Sequence, residues 1–139
     1  MSLQRNLRDE DGAAAVEFAL IVGLLAILVF GLLEYGLAFW QVQNLRAAAR
    51  EGARVAAVQG NDTEVRTAMQ DSAAGSLSGS WTFTRSNTCT DDNGGSEVTI
   101  TINNGSLPSS VQEAFSISIP FLPPITLSPN LSGTFRCEA

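Results

Sequence analysis

The sequence predicts an α+β fold in which a long N-terminal helix precedes a small domain with a second helix and an antiparallel sheet. Three observations support this prediction. A run of sixteen residues without a charge extends from Phe18 to Leu33, and residues 41–59 are rich in alanine and free of proline. From about residue 61 the composition changes to Ser, Thr, Asn and Gly with alternating apolar positions, which is typical of short strands.

The apolar run is predicted to cross a lipid bilayer. As a helix the run itself is about 24 Å long, and extending it over residues 13–40 exceeds the ~30 Å of a hydrocarbon core. Tyr35, Phe39 and Trp40 cluster at the far end of this segment, where aromatic side chains favour the membrane–water boundary. We therefore assign residues 13–40 to the transmembrane part of the helix and residues 41–59 to its exported part.

A charged leader, residues 1–12, precedes the apolar run and ends at Gly12. The leader carries Arg5 and Arg8 together with three acidic residues, and no small-x-small cleavage site follows the run promptly, as it would in a secretory signal peptide. Cleavage at the glycine would leave the hydrophobic segment on the mature protein. Arginines flank both ends of the segment, so the charge rule alone does not orient it in the membrane.

Glu17 lies five residues beyond that glycine, at the start of the apolar segment. An ionisable side chain inside a bilayer is costly, so a functional reason is the default expectation. The alternative interpretation is a partly neutral glutamate that reaches the lipid headgroups.

Residues 41–59 are predicted to continue the helix, with two stripes along its surface. Arg46, Arg50 and Arg54 form a basic stripe, for which two interpretations are open: a solvated face, or a contact with acidic headgroups or with a neighbour's acidic domain. Small residues on the other stripe let another backbone approach closely. That helix-packing stripe consists of Val42, Leu45, Ala49, Gly52 and Ala56.

Residues 60–139 are predicted to form the small exported domain. The stretch 59–62 ends the first helix, and Asn61 with Glu64 indicates a capping box that opens a second helix. Four short strands with one buried face are expected to form one antiparallel sheet. Their inward-facing residues are Trp81 and Phe83; Val98, Ile100 and Ile102; Phe115, Ile117 and Ile119; and Phe135 with Cys137.

The two cysteines, Cys89 and Cys137, are predicted to form a disulfide between the last strand and the loop after the first. Closing a loop of about 50 residues would stabilise a small domain by about 4 kcal/mol in the chain-entropy model. Such a bond needs an oxidising compartment, outside the cytoplasm. Two unpaired buried thiols are the alternative. We favour the disulfide because a membrane segment precedes both cysteines.

Composition argues against enzymatic and nucleic-acid-binding functions. The net charge is −6, which disfavours nucleic acid as a partner, and histidine, the commonest general base, is absent from the sequence. The sequence also lacks a phosphate-cradling glycine motif and a cysteine quartet for zinc, so we predict no catalytic residues and no cofactor. One dense cluster of oxygen ligands is a weak calcium candidate, but it does not match EF-hand spacing and is more typical of an exposed acidic turn. The cluster comprises Asp91, Asp92, Asn93 and Glu97.

Three short strings in the first part of the chain resemble TadE-like proteins, a branch of the type IV pilin superfamily. They are Gly12-Ala13-Ala14-Ala15-Val16-Glu17-Phe18, Glu34-Tyr35-Gly36 and Arg50-Glu51-Gly52-Ala53-Arg54. The resemblance covers about residues 10–58 and implies a pilin-like fold. Many members of the family carry proline in the first half of the apolar segment, where this chain has Gly23, so a helix kink of that origin is not expected here.

The resemblance also implies how the chain is processed and assembled. A prepilin peptidase would cut between Gly12 and Ala13 and leave a new amine on Ala13. Glu17 takes the position of the family's fifth-residue glutamate, so Ala13, Glu17 and Phe18 are the implied assembly residues, with the carboxylate of one subunit opposite the amine of another. The implied partners are the peptidase, other pilin subunits through the N-terminal helix, an inner-membrane assembly platform and the lipid bilayer, with no nucleic acid.

The function expected from this resemblance is that of a minor pilin-like structural subunit of a tight-adherence (type IVc) pilus, supporting adhesion or pilus assembly. The chain would cross the cytoplasmic membrane once, with its N-terminus inside and its C-terminal domain extracytoplasmic. Assembly into a pilus would expose it at the cell surface. Two alternatives stay open. One is a pseudopilin of a type II-like secretion system. The other is a membrane-anchored extracytoplasmic binding domain, in which Gly12 is incidental.

Overall fold

The first helix, α1, runs from Gln4 to Ala57 in the computed structural model, which describes residues 4–119 and 122–138. Side chains are described from Gly12 onward, so residues 1–3 of the predicted leader and the leader side chains, Arg5 and Arg8 among them, lie outside the described part. A helix of 54 residues is about 80 Å long. The single long helix predicted across residues 13–59 is confirmed, apart from its last two residues.

A tight turn ends α1 where the sequence predicts a break. Gln59 adopts a left-handed conformation, with φ of 64°, and the backbone N–H of Gly60 donates to the carbonyl oxygen of Val55 at 3.0 Å. This pattern is a Schellman motif, which satisfies a carbonyl that the helix itself leaves unpaired. The half-buried guanidinium of Arg85 donates to a second such carbonyl, that of Ala56, at 3.1 Å. The end of α1 is thereby attached to the sheet.

The second helix, α2, spans Asp62–Ser72 and opens with the predicted capping box. The Asn61 side chain accepts a hydrogen bond from the backbone N–H of Glu64 at 3.0 Å, and the Glu64 carboxylate accepts one from the backbone N–H of Asn61 at 2.9 Å. Val65 and Met69 are fully buried and face α1. The short helix is thus held by its cap at one end and by apolar burial along one face.

Within residues 4–119 and 122–138, the strands form one three-stranded sheet and a separate two-stranded ladder, both antiparallel. The sheet has the order β1-β2-β5, and the ladder joins β3 to β4. The bounds are β1 Phe83–Arg85, β2 Glu97–Ile102, β3 Ser116–Ile117, β4 Ile125–Thr126 and β5 Ser132–Arg136, with a third helix, α3, at Ser109–Ala114 and 3₁₀ turns at Asp91–Asn93 and Asn104–Ser106.

The prediction of a single four-stranded sheet is therefore wrong in one respect: the strand around Phe115 does not join it. Phe115 instead caps α3, a helix of six residues that the apolar alternation did not indicate. The helix α3 is followed by β3, which pairs with β4 and contacts α1. Phe135 also departs from expectation, since its side chain stays 41% exposed on the edge strand β5.

The core lies between α2, the inner face of the three-stranded sheet and the second half of α1. Trp81 precedes β1 and is 2% exposed, with the Arg66 guanidinium 4.5 Å from its ring centroid. The disulfide between Cys89 and Cys137 is confirmed, and it joins the loop after β1 to the residue that follows β5. The other large side chains that are fully or nearly fully buried include Leu45, Met69, Ile100, Ile102 and Leu131.

Candidate functional site

The helix α1 consists of two halves with different surroundings. We call residues 13–37 the exposed half and residues 38–57 the packed half. The most apolar window of α1 has a mean hydropathy of 2.7, and none of it is buried against the rest of the chain. A core helix of a soluble protein would bury such a surface. Within the described residues this is the one helix long and apolar enough to cross a membrane, and it fits a single-pass membrane protein.

The residues that the sequence singles out for processing and assembly all lie at the start of the exposed half. Gly12 is helical, and a Cβ added there would meet nothing within 4 Å. Ala13 and Glu17 are exposed and four residues apart, so they lie on one face of the helix. Phe18 is 69% exposed. The domain does not cover these four residues, so their surfaces remain accessible to another molecule or to lipid.

Glu34, at the other end of the exposed half, does have a contact with the domain. Its Oε2 accepts a hydrogen bond from the backbone N–H of Ser118 at 2.9 Å, just after β3. A cleft of about 180 Å³ lies beside this bond, lined in part by Leu37 and Glu113. Sequence reasoning used Glu34 only for the family resemblance and missed this contact. The sequence did contain a signal for this contact. The lone carboxylate of Glu34 ends the charge-free run of α1, and residues 115–131 form a second stretch without charge.

The predicted helix-packing stripe lies against the chain's own domain. Leu45, Ala49 and Ala56 are fully buried, and a Cβ added at Gly52 would lie 2.6 Å from the Met69 Cγ. On the other side, a Cβ added at Gly133 of β5 would lie 2.5 Å from backbone atoms of α1. The small residues thus permit both α2 and β5 to pack directly on the α1 backbone.

The three arginines of the basic stripe have different environments. Arg46 donates from Nε to the Asn130 carbonyl at 3.1 Å, and Arg50 is exposed. Arg54 forms an ion pair with Glu51, with an Nη2–Oε1 distance of 2.6 Å. Hydrogen bonding to the Arg54 guanidinium lowers the pKa of Glu51, and the same bond raises the pKa of Arg54. The stripe is therefore divided between structural contacts and solvent.

The weak calcium candidates lie in and after a 3₁₀ turn that is held by hydrogen bonds. Asp91 accepts from the Gln59 side chain at 2.6 Å, and the Asn93 side chain accepts from the backbone N–H of Thr90 at 2.7 Å. In the described ranges, no three His, Cys, Asp or Glu side chains are grouped so that they could hold a metal ion. The arrangement shows how the exposed turn is stabilised and gives no support to a calcium site.

The comparison with protein families falls on the helix. The model of the family described as "TadE-like protein" matches residues 12–54. This segment of the chain is similar to that family. It begins at Gly12, includes the whole exposed half and ends near the end of the packed half, which confirms the resemblance seen in the sequence. Searches of curated proteins and of solved structures returned no match. The similarity is limited to residues 12–54, which lie within α1.

Proposed function

We propose that this chain is a minor pilin-like structural subunit of a tight-adherence (type IVc) pilus that supports adhesion or pilus assembly. The observation that carries the proposal is the division of the TadE-like helix. Its packed half bears a disulfide-bonded domain, whereas the domain leaves the exposed half uncovered apart from the contacts at Gly31 and Glu34. An exposed apolar surface of this size needs a nonaqueous environment. The bilayer supplies it before assembly, and the helices of other subunits supply it afterwards.

Besides the apolar surface, assembly would use a pair of charges that processing by a prepilin peptidase creates. Cleavage between Gly12 and Ala13 leaves an ammonium group on Ala13, on the same helical face as the Glu17 carboxylate. Inside a filament or bilayer each isolated charge is costly, whereas opposite charges from two subunits attract strongly at low dielectric. A subunit that docks out of register leaves both charges unpaired, so the pair selects one register.

The orientation that we propose places the N-terminus in the cytoplasm and the domain outside. The Cys89–Cys137 disulfide supports it, because such bonds persist in oxidising compartments. In this role the chain is a substrate of the peptidase and a structural partner of other pilin subunits and of an inner-membrane assembly platform. It has no catalytic task of its own.

The first test is the mass and N-terminal sequence of the protein isolated from membranes of its own host. We expect a chain that begins at Ala13. An intact N-terminus in cells with an active cognate peptidase would contradict the pilin assignment and favour an anchored extracytoplasmic domain.

A second test separates assembly from insertion. Glu17→Gln keeps the size of the side chain but removes its charge, so we expect the variant to insert in the membrane and to be lost from sheared surface fibres. The matched control is Glu64→Gln, which alters a glutamate of the α2 cap and leaves the exposed half unchanged. Normal incorporation of the Glu17 variant would contradict the proposed pairing. A third outcome would favour a pseudopilin of a secretion system: the chain is processed at Gly12, but the cells make no surface fibres and secrete a substrate protein.

A further inference from the structure

The short β3–β4 ladder lies against the exposed half of α1, apart from the main sheet. Ser118 donates its backbone N–H to Glu34 at 2.9 Å, and a Cβ added at Gly31 would lie 3.8 Å from the Ile119 Cδ1. We call the described residues 115–119 and 122–127 the foot. The foot therefore reaches a part of α1 that belongs to the charge-free apolar run.

The foot is apolar and exposes large side chains. No charged residue occurs in the sequence from 115 to 131. Leu122 is 59% exposed and Ile125 is 55% exposed, whereas Phe115 and Ile117 are turned into the protein. Exposed leucine and isoleucine on a charge-free surface are costly in water, at about 25 cal/mol per Å² of apolar area.

The position of the foot along α1 corresponds to the outer boundary of the bilayer. From Ala13 to Gly31 the helix rises about 27 Å, so a ~30 Å hydrocarbon core that starts near Ala13 ends close to residue 33. Glu34 is the first ionisable residue beyond that point, and Tyr35 and Trp40 follow, 55% and 54% exposed. Aromatic side chains at this level are typical of the headgroup region.

We propose that the foot is a second membrane contact, in which Leu122 and Ile125 insert into the lipid interface beside the transmembrane helix. The Glu34 carboxylate holds it there, because it accepts the Ser118 N–H, a backbone donor that would be costly to leave unpaired next to lipid. The partner is the bilayer itself, in continuity with the apolar surface of the exposed half. The transmembrane helix and the foot together orient the domain on the membrane. This inference needs a membrane-spanning α1 but does not depend on the pilus.

The test measures how deep the foot lies, with the full-length oxidised protein at one copy per phosphatidylcholine nanodisc. A nitroxide label is attached to Leu122→Cys and, as matched control, to Thr63→Cys at the membrane-distal start of α2. We expect the ratio of oxygen to nickel-complex collision rates to be several-fold higher at position 122, because oxygen concentrates in lipid and the nickel complex in water. Equal ratios at the two positions would overturn the proposal. So would a high ratio that occurs only with two copies per disc, since a second copy would then cover the foot.

A second pair of variants tests the role of Glu34 with the same label at position 122. Glu34→Ala removes the acceptor, so we expect the oxygen-to-nickel ratio to fall towards the Thr63 value and the label to become more mobile. Glu34→Gln keeps an acceptor oxygen, so we expect it to retain most of the ratio. An unchanged ratio in the alanine variant would show that Glu34 does not hold the foot in lipid.

Discussion

The two halves of α1 share one continuous helix but differ in the size of their side chains and in what surrounds them. In the exposed half, Leu20 and Leu24 are each 71% exposed. In the packed half, Leu45, Ala48 and Ala49 are fully buried. Small side chains let α2 and β5 come within contact of the helix backbone, whereas large apolar side chains leave a thick surface for lipid or for other helices. Side-chain size therefore separates the part of α1 that packs against the domain from the part that we propose inserts in the membrane and assembles.

The largest effect that we expect within the protein concerns only the domain that the packed half bears. Replacing Cys89 and Cys137 together by alanine should lower the free energy of unfolding of the domain by about 4 kcal/mol. Without the cross-link, the unfolded chain regains the conformational entropy of an open loop. Membrane insertion of the exposed half should not change. The measurement is denaturant unfolding in detergent micelles, monitored by Trp81 fluorescence in a Trp40→Phe background. An unchanged midpoint would contradict this role of the disulfide.

A pair of matched leucine variants compares the halves directly. Leu45→Ala should destabilise the domain by about 3 kcal/mol, because it leaves a cavity in a fully buried position. Leu24→Ala removes the same atoms from an exposed position and should change domain unfolding by less than about 0.5 kcal/mol. The same fluorescence titration measures both. Similar losses in the two variants would show that the halves are not energetically distinct.

A glycine pair tests the close approach of β5 to α1. Gly133→Ala should destabilise the domain by about 2 kcal/mol, since the new methyl group would lie 2.5 Å from backbone atoms of Arg50 and one backbone must shift. Gly23→Ala meets nothing within 4 Å in the exposed half, so domain unfolding should not change. If both variants unfold like the unsubstituted protein, the strand and the helix are not as closely packed as the structure shows.

The smallest effect concerns the exposed ion pair on the packed half. Because the hydrogen bond from Arg54 lowers the pKa of Glu51 below its ordinary value of 4.5, the pair stabilises the folded state above that pH and loses its contribution as the pH falls through the lowered pKa. Glu51→Gln should therefore lower the unfolding midpoint slightly at pH 7. At a pH below the lowered pKa, variant and unsubstituted protein should coincide. A difference that is independent of pH would have a cause other than this pair.

Local signals made several features predictable from the sequence. Asn61 and Glu64 are three residues apart, which is the spacing that a capping box requires, and the structure contains that box. The apolar and alanine-rich composition of residues 13–59, free of proline, predicted one long helix. This signal is local as well, because each backbone hydrogen bond of a helix joins residues four positions apart. The roles of Gly12, Ala13 and Glu17 in processing and assembly stay predictions, since they depend on other molecules.

Contacts between distant residues were not predictable in this way. Arg85 caps the end of α1 across a sequence separation of 29, and Glu34 binds Ser118 across a separation of 84. No spacing rule links such positions. The separation of β3–β4 from the main sheet was missed because apolar alternation shows that a strand has one buried face but does not say which strand pairs with it.

The sequence by itself determined the elements whose hydrogen bonds and hydrophobicity are local: a membrane-length apolar helix, its alanine-rich continuation, the α2 cap and a TadE-like segment that begins at a glycine. The tertiary structure alone decided that the small-residue stripe of α1 is covered by the chain's own α2 and β5, and that the β3–β4 ladder reaches the apolar half through Glu34. The physical reason is that an apolar surface or a stripe of small residues favours close packing but does not determine which element packs there. That element is determined only when the whole chain folds.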